Sequence, residues 1–210
     1  MDFDGTITTA DCLEVVLRRH VAAWPRLTEA VRGGRLSQVG ALDEAVGLLK
    51  IPRERILREF AEAAVLRRGF REFLDWLLHV GGRAAIVSAG FREGIEAVCR
   101  REQLAATPVY AGELCGTAEA GFRLELHDSY GDCPICGSGC CKGAVVRRLR
   151  RAGDVVLAFG DGTRDLCMAR EADLVFARGR LARLCNREGI AWHPLDDFTS
   201  VRRGLPGHLA

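Results

Sequence analysis

From Gly69 onward, short apolar runs alternate with patterns that are typical of amphipathic helices. The helical patterns are FREFLDWLLHV at 70–80, a segment beginning near Phe91, Lys142 to Arg151 and Asp165 to Arg170. The apolar runs are AAIV at 84–87, PVYA at 108–111, VVLAF at 155–159, LVFA at 174–177 and IAW at 190–192, with GFRLELHD at 121–128 as an alternating hairpin strand. Strands that alternate with helices predict an α/β fold, with a Rossmann-like parallel sheet and helices on both faces.

The segment between the first ten residues and this alternating region has a helical pattern throughout. Residues typical of helix starts and helix breaks punctuate it: Asp11, Gly33, Gly34, Ser37 and Pro52. The sequence therefore predicts an α/β core made of residues 1–10 and 67–210, with a compact helical insert at 11–66.

Composition excludes several classes of partner. The 210 residues contain 30 Lys and Arg against 28 Asp and Glu, so the net charge of +2 gives no reason to expect nucleic acid or an anionic membrane as a partner. No apolar run approaches the roughly 20 residues of a membrane span, and the N-terminus is acidic, unlike a signal peptide. We expect a cytoplasmic protein. Nine cysteines, an odd number, favour reduced thiols over a disulfide framework.

The opening stretch MDFDGTIT holds two aspartates at i and i+2. If Asp2 and Asp4 end a strand, their side chains point to the same side of it, where one could attack a substrate while the other transfers protons. Gly5 permits the backbone turn that brings Asp4 back towards the site, and Thr6 can cap or orient that turn. Taken alone, the stretch could equally be a simple turn or part of a calcium loop.

Ser88 stands at the end of an apolar run, before Ala89 and Gly90. Its hydroxyl and the backbone N–H groups that follow, at a helix N-terminus, would form an anion site, although a capping serine is the simpler interpretation. Lys142 opens a later helix and could bring a positive charge to a phosphate, whereas an isolated lysine is usually a surface charge.

The loop GDGTRD at 160–165 directly follows the run VVLAF. Carboxylate oxygens such as those of Asp161 and Asp165 suit Mg²⁺, although an acidic turn would have the same sequence. Ligands of parallel sheets bind beyond the carboxyl ends of the strands. The loops at Asp2, Ser88 and Asp161 all follow strands in that sense, so we expect them to meet.

The order and spacing of these residues resemble the four motifs of the haloacid dehalogenase superfamily of aspartyl-phosphate phosphatases. The matching segments are DFDGT at 2–6, IVSAG at 86–90, Lys142 and GDGTRD at 160–165. The resemblance implies that Asp2 is the nucleophile and Asp4 the acid and base. It also implies Mg²⁺ held by Asp2, the Asp4 backbone carbonyl and Asp161, with Asp165 supporting directly or through water.

In the same resemblance, the phosphate is held by five residues: Thr6, Ser88, Ala89, Gly90 and Lys142. The helical insert corresponds to the superfamily's cap, which closes over the substrate and excludes water. Glu14, Arg18 and His20 could face the substrate from this cap, although an exposed helix face is the simpler interpretation.

Within the superfamily, the chain resembles the phosphoserine phosphatase-like branch and, more narrowly, the 2-hydroxy-3-keto-5-methylthiopentenyl-1-phosphate phosphatases of methionine salvage. The segments behind this are DFDGTIT with Asp11, RRGFREF at 67–73, CCK at 140–142, GDGTRDLCMA and ADLVFARGRL with Cys185. The resemblance implies a Mg²⁺-dependent phosphomonoesterase for a small phosphorylated metabolite, acting as a monomer or homodimer. The phosphoserine-type cap motif Phe-x-x-Ser-Leu-x-x-Arg-Val is absent.

The alternative enzymes are phosphoserine phosphatases and the phosphatases of phosphocholine or phosphoethanolamine. The phosphocholine and phosphoethanolamine phosphatases share a cysteine-containing run before the lysine. The alternative from another class is a non-catalytic metabolite- or metal-binding protein with a truncated N-terminal strand. In the superfamily, the first motif closes a buried strand of several apolar residues, whereas only Met1 precedes Asp2 here. We therefore predict that the natural chain carries several further residues upstream.

The run CPICGSGCCK places four cysteines within nine residues: Cys133, Cys136, Cys140 and Cys141. Cys-x-x-Cys with Pro and Gly is the turn chemistry of a zinc knuckle, but adjacent cysteines rarely both bind one ion, and the run lacks a second well-spaced pair. Structural zinc, a redox-sensitive disulfide and reduced thiols near the active site remain the alternatives.

Overall fold

The computed structural model describes residues 1–125, Cys133, Cys136 and 141–205, and all structural statements concern these residues. Its sheet consists of two three-stranded halves. The strands are β1 (Ile86–Phe91), β2 (Val109–Thr117), β3 (Gly121–Glu125), β4 (Leu157–Gly160), β5 (Leu174–Ala177) and β6 (His193–Pro194). In the first half, β1 is parallel to β2, and β3 pairs with β2 as an antiparallel hairpin. In the second half, β4, β5 and β6 are all parallel.

The first two residues join the two halves. The Val87 N–H donates to the Met1 carbonyl at 2.8 Å, and the Asp2 N–H donates to the Phe159 carbonyl at 2.9 Å. The Met1 amine also donates to the Ala85 carbonyl at 2.8 Å. Asp2 is thus mounted between β1 and β4, on backbone that is bonded on both sides. The presence of residues upstream of Met1 stays a prediction.

Ten α-helices are described. Their bounds are α1 Cys12–His20, α2 Trp24–Arg32, α3 Gln38–Gly47, α4 Arg53–Ala63, α5 Phe70–His79, α6 Arg92–Arg101, α7 Lys142–Leu149, α8 Leu166–Ala169, α9 Gly179–Glu188 and α10 Phe198–Gly204. Asp11 and Ser37 are confirmed as N-caps, because their side chains accept from the N–H groups of Glu14 and Gly40. None of these helices, within residues 1–125 and 141–205, is long and apolar enough to cross a membrane.

Helices cover both faces of the sheet, as the alternating pattern predicts. Successive residues of a strand point to opposite faces. Phe159 of β4 contacts Phe73 of α5 and Phe198 of α10, with ring centroids 5.4 and 5.5 Å apart. Its neighbour Ala158 belongs to a second buried cluster, which includes Leu181 and other residues of α8 and α9. The α/β fold with a largely parallel sheet is confirmed.

The last predicted strand is wrong in position. The pairing strand is His193–Pro194, in register with Phe176 and Ala177, and not IAW at 190–192. The reason is α9, a helix that the apolar runs alone did not indicate, which carries the chain to Gly189. The left-handed Gly189 (φ +68°) ends it, so three more residues are needed to return to the sheet edge.

Candidate active site

The predicted site residues converge beyond the carboxyl ends of β1 and β4. A cavity of about 410 Å³ lies between this edge and the helices α1 to α3. The predicted residues that line it are Asp2, Asp4, Ser88, Ala89, Gly90, Lys142, Asp161 and Asp165. Of the predicted set, only Thr6 does not line this cavity.

Lys142 binds two carboxylates at the floor of this cavity. Its Nζ donates to Asp2 Oδ1 and, at 2.6 Å, to Asp165 Oδ1. All three side chains are buried. Burial alone would lower the pKa of Lys142, but Asp165 and Asp2 raise it above its ordinary value. The ammonium is therefore charged and fixed next to the Asp2 carboxylate.

Asp2, Asp161 and Asp165 form a group of carboxylates, with one oxygen of each within 4.8 Å of the others. Burial, then the charges of Asp2 and Asp165, raises the pKa of Asp161 to about 7. Asp165 also holds the loop, since its Oδ2 accepts from the N–H groups of Asp161 and Gly162 at 3.0 and 2.8 Å. Three crowded carboxylates are electrostatically suited to a cation.

Asp4 faces the cavity from a different direction. Gly5 has φ +71°, the left-handed conformation predicted for the turn, and a Cβ there would lie 2.6 Å from Asp161 Oδ2. The Asp4 carboxylate accepts from the Cys12 N–H at 2.8 Å and contacts the Ser88 hydroxyl at 3.5 Å. Burial, then the nearby Asp11 and Asp2, raises the pKa of Asp4 well above its ordinary value. These surroundings therefore favour the protonated form of Asp4 more than solvent does.

The chain from Ser88 to Gly90 departs from regular strand geometry. The pairing of β1 with β2 shifts register between Val87 and Phe91. The Gly90 N–H donates to Ser88 Oγ at 2.9 Å, and a Cβ on Gly90 would lie 2.9 Å from Asp4 Oδ2. Strand irregularities of this kind re-aim side chains next to sites. Here, the irregularity turns Ser88 towards Asp4.

Comparison with known proteins identifies the family. The family model of haloacid dehalogenase-like hydrolases matches residues 1–170. The chain belongs to this family. It is 30% identical over 207 residues to a 2-hydroxy-3-keto-5-methylthiopentenyl-1-phosphate phosphatase of Exiguobacterium sibiricum, covering 95% of this chain and 92% of that protein. It is 32% identical to the Brevibacillus brevis protein of the same name, covering 86% of this chain and 82% of that protein.

Solved structures show the same fold. A phospho-aspartyl intermediate analogue of phosphoserine phosphatase matches with a TM-score of 0.71 at 19% identity, over 99% of this chain and 95% of that chain. A substrate-bound phosphoserine phosphatase complex matches with a TM-score of 0.69 at 18% identity, over 96% and 94% of the two chains. Together with the family and its relatives, these matches make the protein a haloacid dehalogenase-type phosphatase.

In this phosphatase, Thr6 lies directly against two of the carboxylates. Its side chain is fully buried, and its hydroxyl lies 3.0 Å from Asp2 Oδ2 and 3.3 Å from Asp161 Oδ1. A hydroxyl in this position orients the two carboxylates, and phosphate binding by Thr6 stays a prediction.

Arg67 is a site residue whose role the sequence pattern did not reveal. It is buried, and its guanidinium donates to the carbonyls of Gly5, Thr6 and Thr8 at 2.7, 2.8 and 3.1 Å. Arg178 adds a donor to Gly5 at 3.3 Å. Hydrogen bonds to its carbonyl oxygens therefore stabilise the turn after Asp4. A sequence motif does not indicate such bonds, because every residue has a carbonyl oxygen.

The helices opposite the carboxylates give the cavity a wall of both apolar and polar residues, the latter including Thr28, Arg32 and Gln38. Its apolar residues are Leu13, Leu17, Trp24, Val31, Ala41 and Leu42. Glu14 also lines the cavity, where Arg18 binds its carboxylate at 2.7 Å. His20 is not a wall residue; it binds Glu59 at 2.7 Å. Of the three cap residues considered from the sequence, only Glu14 faces the cavity.

Proposed function

We propose that this phosphatase hydrolyses a small phosphomonoester by forming a covalent phosphate on Asp2. The supporting observation is the Asp2 carboxylate, held between Lys142 and Thr6 at the wall of the cavity. One Asp2 oxygen attacks phosphorus, and the bond from phosphorus to the substrate oxygen breaks. Lys142 offsets the negative charge of the phosphate and the nucleophile.

Asp4 transfers the protons of both steps. Its raised pKa and its place on the cavity wall support this role. Asp4 gives its proton to the departing oxygen of the substrate. It then takes a proton from a water molecule that attacks the aspartyl phosphate at phosphorus, which releases inorganic phosphate and restores both carboxyl groups. Ser88, Ala89 and Gly90, in the last part of β1 beside Asp4, bind the phosphate oxygens.

The donor set fits Mg²⁺. Carboxylate oxygens are the donors that Mg²⁺ prefers, and one oxygen each of Asp2, Asp161 and Asp165 lies within 4.8 Å of the others. We assign Mg²⁺ to Asp2, Asp161 and the Asp4 carbonyl, with Asp165 in support. When bound, the ion supplies positive charge that orients the phosphate and offsets charge in the transition state.

The substrate that we propose is the methionine-salvage enol phosphate named for the relatives. A molecule with a phosphate at one end and a methylthio group at the other suits a cavity with carboxylates and Lys142 at one end and apolar helices at the other. Residues 11–66 act as the cap, and residues 1–10 and 67–210 as the catalytic core. The apolar cap wall would exclude water from the reaction.

Trp24 offers a specific contact to this substrate. It lines the cavity, and its Nε1 is buried without a hydrogen-bond partner among the described residues. A buried donor left unpaired is costly, so native proteins nearly always supply a partner. Since this N–H is shielded from the cavity in the substrate-free structure, we propose that a shift of the indole on binding lets it donate to a keto or hydroxyl oxygen of the substrate.

An amine-bearing phosphate is the second candidate. Asp11 and Glu14 line the cavity and could bind the ammonium of phosphocholine, phosphoethanolamine or phosphoserine. The Asp11 carboxylate, however, caps α1, and that of Glu14 is paired with Arg18. The apolar wall therefore favours the methylthio substrate.

A substrate panel with one variant tests the proposal. The panel contains the enol phosphate, phosphoserine, phosphocholine, phosphoethanolamine and p-nitrophenyl phosphate. We expect the highest kcat/KM for the enol phosphate, and Asp2→Asn to lose about a thousandfold or more of the activity on every member. Asp75→Asn, which changes an exposed aspartate of α5, is the matched control and should keep full activity.

The outcomes separate the parts of the proposal. An Asp2→Asn protein that is folded by circular dichroism and still active would refute the nucleophile. A preference for an amine-bearing member would support the second candidate substrate. A wild-type protein inactive on the whole panel would favour the non-catalytic binding protein.

A further inference from the structure

Four cysteines from distant points of the chain meet at one place outside the cavity. The Sγ atoms of Cys133, Cys136, Cys141 and Cys167 all lie within 4.8 Å of one another. Cys133 and Cys136 form a Cys-x-x-Cys pair, Cys141 directly precedes α7, and Cys167 belongs to α8. Cys140, which the sequence also suggested, lies outside the described residues.

The spacing of the sulfurs is that of a metal site. Zinc–thiolate bonds of about 2.3 Å in a tetrahedron place the sulfurs about 3.8 Å apart. Cys133 Sγ lies 3.8 Å from Cys167 Sγ. A disulfide needs sulfurs about 2.05 Å apart. The arrangement therefore suits four ligands around one ion better than a pair of oxidised cysteines.

Cys167, the fourth cysteine of the cluster, makes a site with two adjacent ligands unnecessary. Cys140 and Cys141 are adjacent, and adjacent cysteines rarely both bind one ion. Cys167 replaces Cys140, and the ligands then come as one Cys-x-x-Cys pair, one cysteine just before α7 and one cysteine of α8. This set matches the closed four-cysteine coordination of structural zinc sites.

The electrostatic surroundings suit the charge of such a site. Zn²⁺ with four thiolates carries a net charge of −2. Arg147 of α7 and Arg170, just after α8, both interact electrostatically with Cys133. These two cations flank the cluster, each also paired with a glutamate, Glu171 or Glu188. Each arginine is shared between its glutamate and the cluster, so the two cations offset only part of the negative charge.

The cluster adjoins the mounts of two site residues. Cys141 is the residue before Lys142, and Cys167 lies two residues after Asp165. The two helices already touch, because a Cβ on Gly143 would lie 2.5 Å from the Cys167 carbonyl. An ion bound here would fix α7 against α8, and with them the ammonium of Lys142 and the carboxylate of Asp165.

We propose that Cys133, Cys136, Cys141 and Cys167 bind one structural zinc ion that braces the start of α7 against α8. The zinc takes no part in the chemistry. It is separate from the magnesium site, so it stands or falls independently of the proposed function.

Metal analysis of full-length protein purified without chelator tests the site. We expect about one zinc per chain in the wild type and less than about a tenth of that in Cys133→Ser and in Cys136→Ser. Cys99→Ser, which changes a half-buried cysteine of α6 outside the cluster, is the matched control and should keep its zinc. Asp161→Asn should also keep its zinc, because it alters only the carboxylate site.

Cobalt substitution gives a second readout that does not depend on a stable variant. Wild-type protein loaded with Co²⁺ should show the visible absorption typical of tetrahedral thiolate coordination. Zinc-free wild-type protein would overturn the proposal. So would zinc that survives in both cysteine variants but is lost in Asp161→Asn, or a count of free thiols in the unfolded wild type that reveals a disulfide.

Discussion

At Lys142, one ammonium group binds carboxylates from two distant parts of the chain, Asp2 and Asp165. All three groups are buried, so each charge has lost most of its hydration. A buried charge of this kind is tolerated only when it is paired, and removing one partner costs about 3–5 kcal/mol of folding free energy. Lys142 thus stabilises the fold and, in our proposal, also takes part in catalysis. Loss of activity in a Lys142 variant would not separate the two roles.

At Trp24, unlike at Lys142, a substitution can test the role in substrate binding separately from the role in folding. In Trp24→Phe an aromatic ring remains, but the unpaired N–H is removed together with one of the two fused rings. We expect KM for the enol phosphate to rise about 2- to 10-fold, the range for one lost neutral hydrogen bond, with kcat little changed. The KM for p-nitrophenyl phosphate, which lacks a keto or hydroxyl partner, should stay constant.

The stability of the ligand-free variant is the control for this prediction. Because the removal of an unsatisfied buried donor offsets part of the packing that is lost with the larger ring, the melting temperature of Trp24→Phe should fall by no more than a few degrees. An unchanged KM for the enol phosphate would show that the indole N–H does not contact the substrate.

At the scale of elements, α1 and α4 are tied together by one glutamate. Glu59 of α4 is buried, and its carboxylate binds Arg55 on its own helix and both Arg19 and His20 at the end of α1, at 2.7 to 2.9 Å. Since α1 also carries Glu14, Leu13 and Leu17 of the cavity wall, this cluster fixes part of the cap that faces the substrate.

The Glu59 cluster makes cap stability depend on pH. Its hydrogen bond to Arg55, then that to His20, lowers the pKa of Glu59 from 4.5 to about 2. A depressed carboxylate pKa stabilises the fold above pH 4.5, and this contribution disappears as pH falls towards 2. In urea unfolding we expect Glu59→Gln to lose about 1–2 kcal/mol at pH 7 and progressively less below pH 4.5.

Glu62→Gln is the matched control for this prediction, since Glu62 lies on the same helix with 64% of its side chain exposed. Its free energy of unfolding should stay close to that of the wild type at all pH values. If the deficit of Glu59→Gln were the same at pH 7 and pH 3.5, the ionised Glu59 carboxylate would not be its cause.

At the scale of the whole molecule, the carboxylate group lies where the two halves of the sheet meet. Asp2 comes from the segment that joins β1 to β4, and Asp161 and Asp165 come from the loop after β4. A cation bound by all three would therefore hold both halves together, and it would bind the folded chain only.

Magnesium should accordingly raise the melting temperature. At a concentration a hundredfold above the Kd, the added stability is about 3 kcal/mol, which is about 5 °C or more for a chain of this size. Asp161→Asn should lose most of this gain, and Asp75→Asn should keep it. In metal-free protein above pH 7, Asp161→Asn should be as stable as the wild type or more so, because burial and the neighbouring carboxylates raise the pKa of Asp161 to about 7.

The measurement is thermal unfolding with and without Mg²⁺ after treatment with EDTA. An equal shift in the wild type and in Asp161→Asn would place the magnesium effect elsewhere in the molecule.

Much of the architecture could be predicted from local patterns. The strand at 174–177 and the caps at Asp11 and Ser37 appear as expected, because hydrophobic periodicity and capping depend on neighbouring residues only. Helix α9 could also have been found, since Leu181, Leu184 and Cys185 recur at helical spacing before Gly189. The strand β6 could not, because its position depends on where that helix ends and on its register with β5.

By itself, the sequence determined the class of fold and which side chains carry the candidate chemistry. Asp2, Asp4 and Gly5 stand close together in the chain, and the local conformation of that turn follows from their order. The tertiary structure decided what distant residues do. It placed Thr6 against Asp161, Arg67 on the carbonyls of the turn and Cys167 beside Cys133. These contacts join residues on different elements, and only the packing of those elements sets their distances.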